Sequence, residues 1–152
     1  MAAEYVANAV QSVALNAPIL FSASIPCRKG YVLHEDQTGI FILRGAVNSN
    51  ACYAVYQVTF NGNVSIPEEG DITPIAVAIT VLGEPRLTSR AIYTPAEADE
   101  YGNLTSTAIV RVPKCCCFSV SVDYVQATDD PTVTPTPLIN VQNANIAIDR
   151  IA

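Results

Sequence analysis

"ACYAVYQVTF", residues 51–60, alternates along its whole length. In an extended chain Cys52, Ala54, Tyr56, Val58 and Phe60 share one face, and Tyr53, Val55, Gln57 and Thr59 share the other. Val, Thr and Tyr suit a pleated, half-buried surface, so the stretch predicts a β-strand with one face in a core.

The same period recurs outward from it. "PIAVAITVL", residues 74–82, sets Ile75, Val77, Ile79 and Val81 against Ala76, Ala78 and Thr80. "LTSTAIVRV", residues 104–112, sets Leu104, Ser106, Ala108, Val110 and Val112 against Thr105, Thr107, Ile109 and Arg111. Turn signals separate the runs: "NSN" at 48–50, "NGN" at 61–63, "PEEG" at 67–70, "GEP" at 83–85 and "YGN" at 101–103. "TPAEADEY", residues 94–101, is the one stretch with a helical look and predicts a single short turn of helix. The proline-rich "ATDDPTVTPTP", residues 127–137, predicts a long loop that returns the chain to a last strand, "INVQNANIAIDRI". Many short strands without intervening helices predict an all-β, antiparallel sandwich or barrel, and the length suits a single domain over residues 1–152.

Composition narrows the function classes. Half of the 152 residues are hydrophobic and 14% are charged, which predicts a compact body. The net charge is −6, and the eight Lys and Arg form no basic stripe, so nucleic acid is not an expected partner. The acidic residues are scattered apart from Glu68-Glu69 and Asp129-Asp130, and they read as solvated surface. "IAVAITVL" is far shorter than the roughly 20 residues of a membrane helix, and "MAAEYVANAV" has no secretory pattern. A cytoplasmic site of synthesis is therefore expected, with no membrane partner.

"VPKCCCFSVSVDY", residues 112–124, carries three adjacent cysteines. As a continuous strand it would put Cys116 on the core face with Phe118, Val120, Val122 and Tyr124. Cys115 and Cys117 would then point to the wetter face with Ser119, Ser121 and Asp123. Adjacent cysteines are badly placed to bond each other. Cys27 and Cys52 stand alone, so the paired spacing of a zinc site is missing. His34 is the sole histidine, reads as a surface residue, and is the only base a nucleophilic cysteine could use. Reduced cysteine as a small hydrophobe is the leading reading; contacts or bonds between subunits through Cys115 and Cys117 are the other. There is no G-x-G-x-x-G, P-loop, H-E-x-x-H or G-x-S-x-G. Neighbouring carboxylates such as Glu35-Asp36 point apart in extended chain. No catalytic residue, cofactor or metal ligand is expected, and the chain reads as a non-enzyme. Asn63-Val64-Ser65 and Asn103-Leu104-Thr105 match glycosylation acceptors without an export signal to support them.

The order of these motifs resembles the jelly-roll domains of bacterial and phage proteins similar to tumour necrosis factor and C1q. "VQSVALNAPILFSASI" looks like the paired N-terminal strands and "HEDQTGIFILRGAV" like the turn and strand after them, with a Gly opening the strand. "PIAVAITVLGEPRLTSRAI", "TSTAIVRVPKCCCFSVSV" and "NVQNANIAIDRIA" resemble the later strand pair, the next pair and the closing strand. Cys115 and Cys116 stand where relatives often carry a Gly-Asp turn, and no collagen-like stem precedes the domain. In style the whole chain is most similar to phage head decoration and head-fibre proteins. The resemblance implies a homotrimer in which three copies pack around an axis. That agrees with apolar residues on both faces of residues 51–60 and 74–82, and with Tyr53 and Tyr56 on opposite faces of one strand. It further implies a structural virion protein on the capsid exterior, assembled in a bacterial cytoplasm, whose partners are its own copies and a phage capsid or other virion protein. The other reading is a module that binds host-surface glycan or protein, on a virion or on a bacterial surface or spore coat. It would act through loops 94–103 and 127–137, where Tyr93 and Tyr101 are the available aromatics.

Overall fold

A computed structural model describes residues 2–24, 30–47 and 49–152. Cys27 lies outside the described residues, as does Asn48 of the expected turn at 48–50. The strands are β1 (Ala2–Ala7), β2 (Gln11–Ala14), β3 (Ala23–Ser24), β4 (Val32–His34), β5 (Phe41–Arg44) and β6 (Tyr53–Ser65). They continue with β7 (Ile75–Val81), β8 (Glu84–Pro85), β9 (Ala91–Tyr93), β10 (Gly102–Pro113), β11 (Cys117–Val125) and β12 (Leu138–Arg150). All ladders are antiparallel.

Two six-stranded sheets form the sandwich. The first runs β10-β6-β12-β1-β3, with β2 also on β12; the second runs β4-β5-β11-β7-β8, with β9 also on β7. The long strands cross between sheets: β6 lies in the first, β7 in the second, β10 in the first, β11 in the second and β12 in the first. That alternation is the jelly-roll topology. The alternating faces read from the sequence meet inside. Tyr56, Val58, Phe60, Ile146 and Ile148 of the first sheet oppose Phe41, Leu43, Val77, Ile79, Val122 and Tyr124 of the second, all fully buried. Each side chain of this kind contributes roughly 1.5–3 kcal/mol by leaving water.

The two sheets are joined at a corner near the N-terminus. β2 pairs with β12, and the Leu15 amide then donates to the Pro137 carbonyl at 3.1 Å. Asn16 takes a left-handed conformation, with φ 64°, and its amide donates to the Tyr124 carbonyl at 2.7 Å. The Tyr124 amide returns a bond to Ala17 O at 3.2 Å, and the Ile19 amide donates to Val122 O at 2.8 Å. Within a few residues the chain has left the first sheet and extended β11 in the second. Gly39 lets the next turn lie on this corner, since a Cβ there would stand 2.6 Å from Ile19 O and 2.7 Å from Pro18 Cβ. Across the same corner the buried Tyr124 hydroxyl donates to Thr136 O at 2.7 Å and pins the proline-rich loop. Burial pushes the pKa of that hydroxyl up to about 12, so it stays a donor at any ordinary pH.

Three expectations need correction. "NGN" at 61–63 is no turn: β6 passes straight through it, because Asn61 and Asn63 are held from across the ladder by Asn103 Nδ2 at 2.7 and 3.3 Å. "TPAEADEY" forms bends and one hydrogen-bonded turn, with Glu100 N donating to Glu97 O at 3.4 Å, and no helix. The Glu100 carboxylate accepts from the Ala96 and Glu97 amides at 2.9 and 3.2 Å, and Asp99 has φ 61°. The one helical turn described is a 3-10 turn at Leu87–Ser89. Finally, both faces of β7 are buried within the chain itself. Ala76 and Ala78 on its far side pack with Val125 in a small second cluster, so β7 gives no argument for a partner.

Asp123, on β11 beside Pro18, generates a prediction. Burial raises its pKa, against the bond it accepts from Ser121 Oγ at 2.8 Å. The folded chain therefore holds this proton to higher pH than the unfolded chain, where the carboxyl titrates near 3.9. Its contribution is most favourable below that value and is lost as pH rises through the folded pKa. Asp123→Asn should raise the Tm at pH 7, and the gain should shrink to nothing below about pH 4. A gain independent of pH would mean that burial of the charge is not the cause.

Candidate functional site

The first sheet turns one face outward, and its alternation determines what stands there. β6 presents Tyr53, Val55, Gln57, Thr59, Asn61 and Asn63, and β10 presents Asn103, Thr105, Thr107, Ile109 and Arg111. The amides and hydroxyls bond one another across the strands. Thr105 Oγ1 donates to Asn61 Oδ1 at 3.1 Å, Thr59 and Thr107 hydroxyls meet at 3.2 Å, and Asn145 Nδ2 donates to Glu4 Oε1 at 3.1 Å. Asn63 and Asn103, the two sequon asparagines, lie within this ladder and not on loops. Outward charges on β1, β6, β10 and β12 amount to Glu4, Arg111 and Asp149. Tyr53 is 50% exposed and Ile109 46%, with Val55 between them half-buried. The face is broad and carries few charges; Arg111 across from Val55 and Asp149 across from Gln57 share the end where Tyr53 and Ile109 are exposed.

The two ends of the sandwich differ sharply in charge. Loops 66–74, 94–101 and 127–137 meet at one end: the Asp99 amide bonds Ile66 O at 2.8 Å and the Thr136 amide bonds Thr73 Oγ1 at 3.2 Å. They carry Glu68, Glu69, Asp71, Glu97, Asp99, Glu100, Asp129 and Asp130. The carboxylates scattered in sequence are thus gathered in space, with Arg90 3.7 Å from Asp129. Beside the proline-rich loop is an open cleft of about 490 Å³, lined by residues including Leu15, Pro131, Val133 and Pro135. Of the two aromatics expected on these loops, Tyr101 is exposed; Tyr93 lies in β9 and packs down on Gly102.

The cysteines are at the opposite end, and the expectation for Cys116 is overturned. Cys116 is exposed, as are Cys52, Cys115 and Cys117, and all four are free. β11 starts at Cys117, not before it. Lys114-Cys115 forms the turn between β10 and β11, with Cys115 in the left-handed region at φ 63°, so the period-two count stops short of Cys116. Val120, Val122 and Tyr124 are buried as expected. The turn falls where the resemblance places a Gly-Asp turn. Among the described residues no group of three or more His, Cys, Asp or Glu is placed to hold a metal ion.

His34 is half-buried and not a fully exposed surface residue. Its ring stacks on Phe41 at 4.4 Å between centroids and 13° between planes, and lies 4.8 Å from Tyr5. Nε2 is 2.9 Å from Thr38 O, which makes it the protonated nitrogen. His34 pairs with Phe41 and Cys117 with Arg44, so three residues of β5, about 10 Å, separate histidine from thiol. The structure does not bring them together as base and nucleophile.

No family model matches the chain, and no curated protein matches it. Solved structures do. The globular domain of zebrafish Complement 1qA protein superposes with a TM-score of 0.64 at 11% identity, over 99% of this chain and 97% of that one. Eiger TNF from S. frugiperda gives 0.65 at 13% identity, over 100% and 92%. Murine APRIL at pH 5.0 gives 0.59 at 10% identity, over 97% of each chain. The chain has the TNF/C1q-like jelly-roll fold, and identities this low establish the fold alone.

His34→Ala should cost about 1–3 kcal/mol, because it removes a stacked ring and a partly buried hydrogen bond. Denaturant melts of the two proteins measure it. A change below about 0.5 kcal/mol, the usual range of a surface substitution, would contradict this packing.

Proposed function

We propose that this jelly roll is a non-enzymatic, self-associating structural protein, a homotrimer displayed on the exterior of a virion as a capsid decoration or head-fibre component. The observation that carries the self-association is the outward face of the first sheet. Tyr53, Val55 and Ile109 stand exposed or half-buried on a face with few charges, where Arg111 lies across from Val55 and Asp149 across from Gln57, and whose amides and hydroxyls bond one another. Such a face loses little by leaving water, whereas a charged one would lose much. The fold supports the same reading, since the resemblance implies packing of three copies through this kind of sheet face. The capsid placement rests on the whole-chain resemblance to phage head proteins, and assembly in a bacterial host cytoplasm follows from it.

A second reading, a module that binds host-surface glycan, is favoured by the open cleft beside the proline-rich loop and by exposed Tyr101 at the same end. The carboxylates there argue against acidic glycans as its ligand.

Light scattering at micromolar concentration should give about three times the chain mass of 16.2 kDa. An interface of this type buries roughly 2,000 Å² or more. Val55→Glu with Ile109→Glu should yield a folded monomer with an unchanged β spectrum. A monomeric parent, or a double variant that stays trimeric, would overturn the assignment of the face. Co-sedimentation of the parent with capsids lacking it tests the location; failure to bind, by a confirmed trimer, would remove the decoration role alone.

A further inference from the structure

The end of the sandwich that carries the thiols also carries most of the described cations. Arg44 is the register partner of Cys117, and cross-strand partners in an antiparallel pair project on the same side. Lys114 precedes the triplet, and its amide donates to Cys52 O at 2.9 Å, which sets Cys52 beside the same turn. Arg111 is three residues before the Lys114 turn, and Arg150 at the end of β12 lies over the Tyr31 ring at 4.3 Å. The Arg44 amide donates to Tyr31 O at 2.9 Å, so Arg150 stands on the ring next to Arg44. Glu84 and Asp149 are the carboxylates nearest this end. Among the described residues Arg44 and Lys114 stand beside the thiols and Arg150 next to Arg44, while Arg111 and Asp149 project from the outer face of the first sheet; in a chain of net charge −6 the tip is locally positive.

The tip is also rigid. Gly45 N donates to Cys116 O at 2.8 Å, Cys115 N to Ala46 O at 3.2 Å, and Cys116 N to Pro113 O at 3.1 Å. Lys114 Nζ is fixed to Ser49 O at 2.7 Å. A Cβ on Gly45 would collide with the Pro113 carbonyl, so the backbone beneath the turn is closely packed. The thiols are thus held in solvent on a backbone with little freedom to turn them inward.

We propose that the Cys115–Cys117 tip is a site of covalent modification by low-molecular-weight anionic disulfides. A thiolate Sγ of the triplet attacks one sulfur of RS–SR. The new Sγ–S bond forms as the old S–S bond breaks, and RS⁻ leaves and takes up the proton that the cysteine gave to solvent. The cysteine sulfur is oxidised and the departing sulfur reduced, so no further oxidant is required. A neighbouring cysteine in the triplet resolves the adduct poorly because consecutive Cα atoms, about 3.8 Å apart, are closer than an ordinary disulfide spans, so the mixed disulfide persists. The cations select the anionic reagent by raising its local concentration. This proposal is independent of the self-association proposed above, because it needs only the exposed tip of one folded chain.

The test uses glutathione disulfide as the anionic probe and hydroxyethyl disulfide as the neutral one, with adducts located by peptide mass spectrometry. At low salt the native triplet should react with the anionic probe at least about threefold faster than the same cysteines in the urea-unfolded chain, whose net negative charge repels it. The neutral probe should show no such excess. About 0.5 M salt, where the Debye length is about 4 Å, should remove the difference. Arg44→Gln with Lys114→Gln should slow the anionic reaction and leave the neutral one unchanged, which a merely structural effect of these residues would not do. Equal salt dependence for the two probes would overturn the proposal. So would native thiols slower than unfolded ones, or an internal disulfide in place of the adduct.

Discussion

The corner at residues 14–21 is the constraint on which the rest of the sandwich depends. A two-sheet fold needs its layers held in one relative position, and here a single short segment bonds both. It takes Pro137 O and the edge of β12 from one sheet, then Tyr124 O and Val122 O from the other. Ile19 and Phe21 from the same segment are fully buried between the layers. Asn16 tolerates the left-handed turn because a short amide side chain pays less there than a branched one. Gly39 then lets the β4–β5 turn close over the corner without a clash. With this segment in place, β11 is continued along its length and the aromatic stack of His34, Phe41 and Tyr5 closes the edge.

From the corner the two ends of the molecule follow. The long strands all run end to end, so their connections collect at two poles. One pole receives the acidic loops and the other the short turn between β10 and β11 with its thiols. The jelly-roll topology thereby converts charges dispersed in sequence into a polar molecule. The outward face of the first sheet lies between the poles and carries few charges: Glu4, Arg111 and Asp149. Charge is thus concentrated at the ends and scarce on the broad face.

Much of the fold was legible because period-two alternation is local. Tyr56, Val58, Phe60, Val77, Ile79, Val110, Val122 and Ile146 sit inside as their alternation predicts. The misreadings all arise where tertiary context overrides a local signal. "NGN" carries turn chemistry, yet Asn103 on the neighbouring strand supplies the partners that keep it extended. Cys116 has the right parity for the core, yet the strand begins one residue later because Cys115 turns left-handed. His34 looked peripheral because nothing in one dimension shows that Tyr5, far away in the chain, lies against its ring. Ala76 and Ala78 seemed to ask for a partner subunit, and the chain covers them itself. The two poles could not be read at all, because loop proximity is a property of strand order and not of spacing.

Native-state hydrogen exchange at the corner tests this account most directly. The Asn16 and Ile19 amides should exchange only through global unfolding, with the same free energy and denaturant dependence as Phe60 and Ile146 at the centre of the first sheet. Fast exchange of Asn16 and Ile19, insensitive to denaturant while Phe60 and Ile146 stay protected, would show that the corner opens on its own and does not hold the sheets together.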